Sequence, residues 1–517
     1  STLFPYTTLF RSAPLPFRRP RPPLPNNREH ALTRLSSLRR SLDKKPEMKR
    51  QFVTFMEKIF QNGHAEEAPP LKDGEECWYL PTFGVYHPQK PGQIRVVFDS
   101  SAQHNGVSLN DVLLTGPDLN NSLLGVLIRF RKEPVAITAD IEQMFYCFVV
   151  REDHRNYLRF LWYRDNNTSK DVTEYRMKVH VFGNSPSPAV AIYGLRRAAQ
   201  EGVQHHGTDT QEFVDRHFYV DDGLTSLPTE EEAIDLLQRT QASLAESNLR
   251  LHKIASNSTN VMQAFPSDDH AKGMKDFGLG DETGPVQRSL GLSWETAADT
   301  FTFKVSSGDK PFTRRGVLST VNSLFDPLGL VAPVTIQGRA ILRELTSDTC
   351  SWDAPLPDEK LKEWEAWRDS LQDLRELHIP RTYSSKSLSR AQRTELCVFS
   401  DASTKAIAAV AYLRIIDETG QVDVGFVLGK AKLTPQSQPT IPRLELCAAV
   451  LAVEVAELIV DEIDIEPDAV NFYCDSKVVL GYIHNETKRF YVYVHNRIQR
   501  IRQTTRPDQW QIGRAHV

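Results

Sequence analysis

Acidic residues stand at the ends of apolar, strand-like runs in two separate parts of the 517-residue chain. In the first part, the run that begins at Val135 ends in Asp140, and the run that begins at Phe218 leads into Asp221 and Asp222. Carboxylates on rigid neighbouring strands can hold two Mg²⁺ ions about 4 Å apart. One ion activates an attacking hydroxyl and the other stabilises a leaving pyrophosphate. The pattern indicates phosphoryl transfer, although an Asp-Gly pair is also an ordinary hairpin turn.

A second set of acids lies in the last quarter of the chain. Strand-like runs end in Asp401 and Asp475, and Glu445 lies at the start of a mostly apolar helix. Alanines follow Glu445 one and two turns along its face, and an acid at the head of a buried face is rare without a partner or a metal. A turn residue at Asp401 and a helix cap at Asp475 are alternatives that need no metal.

The elements that must position these acids divide into consecutive segments. Residues 1–50 hold twelve Lys/Arg, three acids and, in the first 25 positions, seven prolines, which predicts a mobile basic arm without helix or sheet. Residues 51–80 predict a short amphipathic helix and a linker. Residues 81–262 alternate strands and helices in one α+β unit, and a mixed stretch covers 263–390. Residues 391–517 alternate strands with one long helix.

Composition excludes several classes of protein. A net charge of −4 excludes a uniformly basic nucleic-acid coat but allows a local basic groove. No apolar run approaches the length of a transmembrane helix, and the first residues do not resemble a secretory signal, so we expect no membrane partner. The six cysteines include no CxxC pair, which indicates neither a zinc site nor a disulfide framework and fits a reducing compartment.

Beyond single motifs, the order and spacing of several segments resemble the reverse transcriptase of BEL/Pao-type LTR retrotransposons. The resemblance begins near residue 78 and covers nearly the whole of the remaining chain. The segments that carry it are Leu80-Pro81, Arg95–Ala102, Ser108–Leu114, Ala136–Phe145 and Tyr219–Asp222. It implies a multidomain α+β and α/β protein, in which a right-hand polymerase with fingers, palm and thumb precedes a ribonuclease H-like domain with a mixed five-stranded sheet.

The resemblance assigns roles to the first set of acids and to their neighbours. It implies that Asp140 and Asp221 bind both metal ions and that Asp222 supports them. Phe145 lies where the family places an aromatic ring beneath the sugar of the incoming nucleotide, which disfavours a 2′-hydroxyl. A core phenylalanine is the alternative interpretation of Phe145.

Three further positions carry expected nucleotide contacts. Arg95 resembles the fingers residue that binds the triphosphate, for which a guanidinium is suited. Gly183 belongs to a loop that resembles the one positioning template and nucleotide, and Lys253 resembles a lysine near the leaving phosphate. An unengaged surface arginine, an ordinary Gly/Pro loop and a solvated lysine are the respective alternatives.

For the last segment, the resemblance implies a ribonuclease H-like site in which Asp401, Glu445 and Asp475 bind two Mg²⁺ ions. The family's fourth carboxylate follows the segment of Trp510, and no counterpart occurs before Val517. We therefore expect a domain truncated at its C-terminus with weak or absent cleavage of RNA–DNA hybrid. The terminal residues at both ends do not resemble the family, and we hypothesise that they are not native sequence.

The sequence thus predicts an RNA-directed DNA polymerase with Mg²⁺ at both sites, acting in the cytoplasm within a virus-like particle. Its expected partners are an RNA template, a DNA primer, RNA–DNA hybrid and deoxynucleoside triphosphates; the oligomeric state is left open. An inactive nucleic-acid-binding relic is the alternative. A protease function near residues 270–430 is disfavoured, because no Asp-Thr/Ser-Gly tripeptide occurs and Asp326–Gly329 fits a turn.

Overall fold

The computed structural model describes residues 12–87, 90–271, 275–276, 292–305, 310–345, 351–435, 440–487 and 489–513. Its first part centres on a four-stranded antiparallel sheet in the order β11-β5-β10-β9. The strands of this part are β1 Ser12–Ala13, β2 Ala65–Glu67, β3 Thr82–His87, β4 Lys90–Phe98, β5 Val135–Ile141, β6 Val149–Val150, β7 Arg159–Tyr163, β8 Val172–Met177, β9 Phe218–Tyr219, β10 Asp222–Leu227 and β11 Leu251–Ser256. Its helices are α1 Arg28–Asp43, α2 Pro46–Gln61, α3 Leu109–Val112, α4 Leu123–Phe130, α5 Ser187–His206, α6 Thr208–His217, α7 Glu230–Glu246 and α8 Thr259–Gln263.

Strand β5 is buried on both faces, which explains its continuous apolar run. Its side chains alternate between the two faces of the sheet. Ile137 and Ala139 belong to the apolar core that includes α5 and α7, whereas Ala136 belongs to the core that includes α4 and the rest of the chain. Asp140 follows at the end of the same strand, so its backbone is fixed by packing on both sides.

The prediction of an arm without helix or sheet is wrong for residues 12–50, whereas residues 1–11 lie outside the described part. Strand β1 pairs with β6, and α1 buries a stripe of apolar residues, namely Ala31, Leu35, Leu38 and Leu42. The prolines end at Pro25, and the next one, Pro46, occupies the first turn of α2, where no N–H is needed. The overall proline count therefore concealed a helix-compatible stretch.

The middle part joins the sheet of β5 to the last part of the chain. Its described residues form a four-stranded sheet in the order β12-β13-β14-β15 and three α-helices. The elements are β12 Lys275–Asp276, β13 Leu292–Glu295, β14 Thr300–Phe303, β15 Ile379–Pro380, α9 Arg314–Val321, α10 Ala332–Leu345 and α11 Leu361–Ser370. Arg381 follows β15 and is completely buried: it pairs with Asp299 and donates to the carbonyls of Phe130, Glu133 and Pro134.

The last part contains the mixed five-stranded sheet that the resemblance implied. Its order is β18-β17-β16-β19-β20, with β16 parallel to β19 and antiparallel to β17. The elements are β16 Arg393–Ala402, β17 Ala406–Ile416, β18 Val422–Leu433, β19 Ala469–Cys474, β20 Trp510–Ile512, α12 Ile441–Glu462, α13 Lys477–His484 and α14 Val492–Arg502. Helix α12 packs on β16 and β17, and Ala448, Ala449, Ala452 and Ala456 are buried, as predicted.

A charged contact joins the first and last parts of the chain. The buried Arg129 of α4 pairs with Glu462 at the end of α12, and Asp464 accepts from Arg216. The Glu462 carboxylate lies against Gly125, where a Cβ atom would come within 2.0 Å of it. These contacts fix α12 against α4. No helix in the described part of the chain has the length and apolarity to cross a membrane.

Candidate active sites

The three acids of the first set lie together at one end of the central sheet. Asp140 on β5 stands directly opposite Asp222 on β10, and the Ile141 amide donates to the Asp221 carbonyl oxygen at 3.0 Å. Sequence reasoning required Asp140 and Asp221 to come from neighbouring strands, and their backbones are adjacent.

The hairpin turn between β9 and β10 includes only the first of the two aspartates for which a turn was the alternative. Tyr219 pairs with Asp222, so the turn consists of Val220 and Asp221, and Asp222 with Gly223 begins β10. The turn interpretation of Asp221 and Asp222 therefore holds for Asp221, whereas Asp222 belongs to the strand. Val220 has φ +57°, which is strained for a β-branched residue, and such strain is found most often at functional sites.

Two side chains from β11, a histidine and a lysine, meet the Asp140 carboxylate. The His252 Nε2 atom lies 3.0 Å from one carboxylate oxygen, and the Lys253 Nζ donates to the other at 2.9 Å. Lys253 lies in a β-bulge with φ +49°, which lets consecutive residues both reach Asp140. Burial opposes the charge of Lys253, but its hydrogen bond to Asp140, with the charges of Asp222 and Asp221, raises its pKa.

Two of the expected nucleotide-binding residues are connected through one aromatic ring. The Arg95 guanidinium lies 4.9 Å from the ring centre of Phe182, and that ring meets Phe145 edge-on with centres 4.5 Å apart. Phe145 is buried in the 3₁₀ turn Met144–Cys147, which follows β5 by only a few residues. Arg95 and Phe145, predicted from separate motifs, thus share one aromatic neighbour.

Gly183 is required by the geometry of its loop. It has φ +98°, and a Cβ atom would lie 2.9 Å from the Phe98 carbonyl oxygen. The Asn110 side chain donates to the Gly183 carbonyl and accepts from the Ser185 amide. Asn110 therefore fixes the loop to α3, and the close approach of Gly183 to Phe98 holds it against β4.

The chemistry of the three acids fits a hard divalent cation, because they supply carboxylate oxygens from two adjacent strand ends. In the ranges that the structure describes, no three His, Cys, Asp or Glu side chains are already grouped as ligands of one ion. Asp140 and Asp221 would hold Mg²⁺ at the first site, with Asp222 beside them. Lys253 shares the same carboxylate and would have to yield part of it to the ion.

In the last part of the chain, two acids lie side by side at the carboxyl ends of parallel strands. Ser400 of β16 pairs with Cys474 of β19, so the next residues, Asp401 and Asp475, are neighbours. Both are exposed, and both line a cavity of about 570 Å³. Asp401 still belongs to β16 and pairs with Ala408, so the strand-end turn proposed as its alternative is wrong.

Glu445 joins this pair through a serine. The Ser476 hydroxyl donates to the Glu445 carboxylate at 2.5 Å and caps α13 by accepting from the Val479 amide. The helix-cap alternative for Asp475 is therefore wrong, because the cap is the residue after it. Asp508 pairs with Arg506 on a separate 3₁₀ turn and is not among the residues that line the cavity.

The cavity opens on the face of the sheet opposite α12. Phe399 and Tyr473 stack there with ring centres 4.7 Å apart, and Phe399 is 40% exposed. Gly513, the last described residue, also lines the cavity. The two faces of this sheet are thus unequal, with alanines packed under α12 on one side and aromatic rings beside the acids on the other.

Sequence reasoning missed three residues at the two sites. His252 lies next to Lys253, and a basic pair on a strand that neighbours β5 is the signal that could have identified it. Asn110 lies inside a segment used for the resemblance but received no role. Ser476 was overlooked because Asp475, the residue before it, was considered as the helix cap, although Ser is itself a favoured N-cap residue.

The structure also bears on the protease alternative. The Asp326 carboxylate accepts from the amides of Leu330 and Val331 at 2.8 Å and is largely buried. Its burial, partly offset by these backbone hydrogen bonds, raises its pKa. Asp326 therefore stabilises the turn before α10, as the sequence indicated.

Comparison with known proteins gives a family match in one segment and fold matches over nearly the whole chain. Residues 313–476, which contain Asp401, Glu445 and Asp475, match the family described as Pao retrotransposon-like RNaseH-like domain. No curated protein matches the chain.

Solved structures share its fold, among them three of foamy viral proteins. The foamy viral protease-reverse transcriptase dRH in complex with double-stranded DNA is 13% identical, with a TM-score of 0.57 over 98% of this chain and 72% of that one. The foamy viral protease-reverse transcriptase in complex with RNA/DNA hybrid is 12% identical, with a TM-score of 0.52 over 92% of this chain and 54% of that one. The foamy viral protease-reverse transcriptase in complex with double-stranded DNA is 13% identical, with a TM-score of 0.56 over 91% of this chain and 83% of that one. Residues 313–476 thus belong to the Pao retrotransposon-like RNaseH-like domain family, and nearly the whole chain has a fold similar to that of the foamy viral structures.

Proposed function

We propose that this protein is an RNA-directed DNA polymerase that extends a DNA primer on an RNA template. The observation that carries the proposal is the convergence of Asp140, Asp221 and Asp222 at one strand end, with Lys253 against them. Mg²⁺ bound there would activate the primer 3′-hydroxyl and stabilise the pyrophosphate leaving group. The nucleic-acid complexes of the foamy viral structures support a nucleic-acid substrate.

The residues around the acids have distinct parts in this proposal. Arg95, held against Phe182, binds the triphosphate, and Lys253 is placed to protonate or neutralise the leaving pyrophosphate. Phe145 limits the room at the sugar and so selects deoxynucleotides. Gly183 and its loop position the template base. We assign fingers, palm and thumb to the chain in the order predicted, with α9 and α10 in the thumb and connection.

Primer extension tests the proposal directly. The wild-type chain, with Mg²⁺, is expected to add deoxynucleotides to a DNA primer on an RNA template, and Asp221→Asn is expected to lose this activity. Asp373→Asn is the matched control, because Asp373 is an exposed acid on the 3₁₀ turn Leu371–Glu376, outside the sheet. Folded wild-type protein that binds a primer–template but never extends it would favour the relic.

A second activity, cleavage of the RNA strand of a hybrid, is proposed for the Asp401, Glu445 and Asp475 site. The adjacent ends of β16 and β19 and the family match over this segment favour it. We expect the activity of this chain to be weak. Robust cleavage that Glu445→Gln abolishes would contradict the expected weakness while supporting the site.

A further inference from the structure

The two side chains that contact the Asp140 carboxylate differ in how firmly the fold holds them. His252 lies in the regular part of the β5–β11 pair, directly opposite Asp140. Lys253 lies in the bulge that follows, with φ +49°. The side chain of His252 is 13% exposed, whereas that of Lys253 is 53% exposed. The histidine is therefore packed in place, and the lysine has more room to move.

The backbone that carries His252 is joined to β5 at this point. Leu251, the residue before it, pairs with the last residue of β5 and is buried in the core that includes α5 and α7. The Glu142 amide donates to the Arg250 carbonyl oxygen at 2.9 Å. Because the two chain segments are bonded next to the site, the imidazole is attached to a backbone that is fixed relative to Asp140.

The two side chains bind different oxygens of the carboxylate. The His252 Nε2 atom lies 3.0 Å from Oδ1 of Asp140, and the Lys253 Nζ atom lies 2.9 Å from Oδ2. An ionised carboxylate can only accept hydrogen bonds, so Nε2 is the donor. The terminal torsion of an aspartate has broad minima and turns easily. A donor fixed on Oδ1 therefore restrains the plane of the carboxylate and with it the direction of Oδ2.

The charges near Lys253 indicate which oxygen faces the other acids. The Asp221 and Asp222 carboxylates act electrostatically on the Lys253 ammonium, which is bound to Oδ2 of Asp140. In the sheet, β5 lies between β11, which carries His252, and β10, which begins with Asp222. Oδ2 therefore shares its surroundings with the other two acids, whereas Oδ1 is bound by the imidazole.

We propose that His252 is a positioning residue of the polymerase-like site. It holds Oδ1 of Asp140 and so keeps Oδ2 available to a divalent cation, while Lys253 is the partner that gives way. The inference rests on the proposed function, because it assumes that the three acids hold Mg²⁺. Removing a residue that orients a metal ligand typically costs about 10- to 100-fold in metal affinity or activity. In this role His252 takes no part in bond formation.

Binding of Mn²⁺ to the full chain without nucleic acid, measured by electron paramagnetic resonance, tests the inference. Every sample carries Asp401→Asn and Asp475→Asn, so that the second site does not contribute. His252→Leu is expected to weaken Mn²⁺ binding about tenfold, because Asp140 loses the donor that orients it. His252→Gln is expected to stay within about twofold of the chain with His252, because its amide nitrogen can replace Nε2.

His206→Leu is the matched control, because it also removes a histidine that contacts a carboxylate. The His206 Nε2 atom lies 2.8 Å from a carboxylate oxygen of Glu246, and its side chain is 15% exposed, close to the value for His252. This pair joins the ends of α5 and α7 and lies outside the three acids. Its loss is expected to leave Mn²⁺ affinity unchanged. The melting temperature of each variant shows whether it is folded.

Primer extension supplies a second measurement. His252→Leu is expected to raise the Mg²⁺ concentration that gives half of the maximal rate about tenfold. At saturating Mg²⁺, its KM for deoxynucleotides is expected to stay within about twofold of the wild-type value, because the nucleotide contacts are intact. Structural damage alone would lower the amount of active protein without shifting the Mg²⁺ dependence.

Unchanged Mn²⁺ affinity in a folded His252→Leu variant would overturn the inference, and so would a His252→Gln variant that binds as weakly as His252→Leu. If the wild type never extends a primer, the proposed function fails, while the Mn²⁺ affinities still decide this inference. If the wild type extends a primer and all variants bind Mn²⁺ equally, only this inference fails. A chain that binds no Mn²⁺ contradicts the metal site on which both depend.

Discussion

The two acid sites differ in what neutralises their carboxylates. Asp140 is held between His252 and Lys253, at 3.0 and 2.9 Å, on a strand buried on both faces. Asp401 and Asp475 are exposed, and in the described residues no cationic side chain pairs with them. Carboxylates at strand ends are therefore found in two different electrostatic environments. The first site contains its own countercharge in Lys253, whereas the described residues supply none to Asp401 and Asp475.

The largest expected effect separates the two sites completely. Asp140→Asn is expected to lower the single-turnover rate of primer extension by at least about 10³-fold, because it removes a ligand of the proposed metal site. Asp401→Asn, the equivalent change at the other site, is expected to leave extension unchanged. Equal effects of the two variants on extension would break the comparison.

A smaller effect on rate should reveal the internal countercharge. Lys253→Met is expected to slow extension about 10- to 100-fold, since it removes a proton donor or positive charge near the leaving group. The same variant should bind Mn²⁺ several-fold more tightly at this site, measured by electron paramagnetic resonance, because the ion no longer competes with an ammonium. Unchanged Mn²⁺ affinity would show that Lys253 does not compete for Asp140.

Acid should destabilise the polymerase-like part through its buried histidines. Burial, reinforced by Arg129, Lys132 and Arg216, lowers the pKa of His217 to about 3, and burial lowers that of His180 to about 4. The unfolded chain takes up these protons near pH 6.5, so the free energy of unfolding falls as the pH drops from 6.5 towards 4. The expected slope is at most about 1.4 kcal/mol per pH unit for each histidine.

Urea denaturation between pH 7 and pH 5 measures this slope. The described histidines of the RNase H-like part, His484 and His495, are exposed. His180→Gln/His217→Gln is therefore expected to flatten the pH dependence, and His484→Gln/His495→Gln is the matched control. Equal flattening by both double variants would contradict the assignment.

The smallest expected effect concerns Ser476, which links α13 to Glu445 at the second site. Ser476→Ala should lower the free energy of unfolding by about 1 kcal/mol, because α13 loses its N-cap. Ser476→Thr, which retains a hydroxyl, should preserve most of that stability. Calorimetry measures both. A neutral Ser476→Ala would mean that neither the cap nor the hydrogen bond to Glu445 contributes.

The sequence predicted those parts of the sites that depend on local pattern. Apolar runs ending in acids located Asp140 and Asp401, and alanine spacing identified the buried face behind Glu445. The prediction failed where proline content was averaged over residues 1–50. The prolines of the first 25 residues all precede α1, so their number did not apply to the helix itself. Sequence reasoning also could not find His252, because a residue becomes a partner of Asp140 only when β11 pairs with β5.

Contacts between distant parts of the chain were beyond the sequence for the same reason. Nothing local distinguishes Arg381 from other arginines, yet its burial and five acceptors depend on segments about 80 and 250 residues away. Pairing of that kind is a property of the folded chain.

The contact among Gly125, Arg129 and Glu462 limits which domains can be exchanged between this chain and a relative by recombination. A recombination event that replaced the RNase H-like domain with one from a distant relative would leave Arg129 buried without its acid, at a cost of several kcal/mol. A larger residue at Gly125 would likewise exclude the incoming helix. Successful chimaeras should therefore take α4 and the end of α12 from the same parent. The units that are exchanged together then do not coincide with the domains.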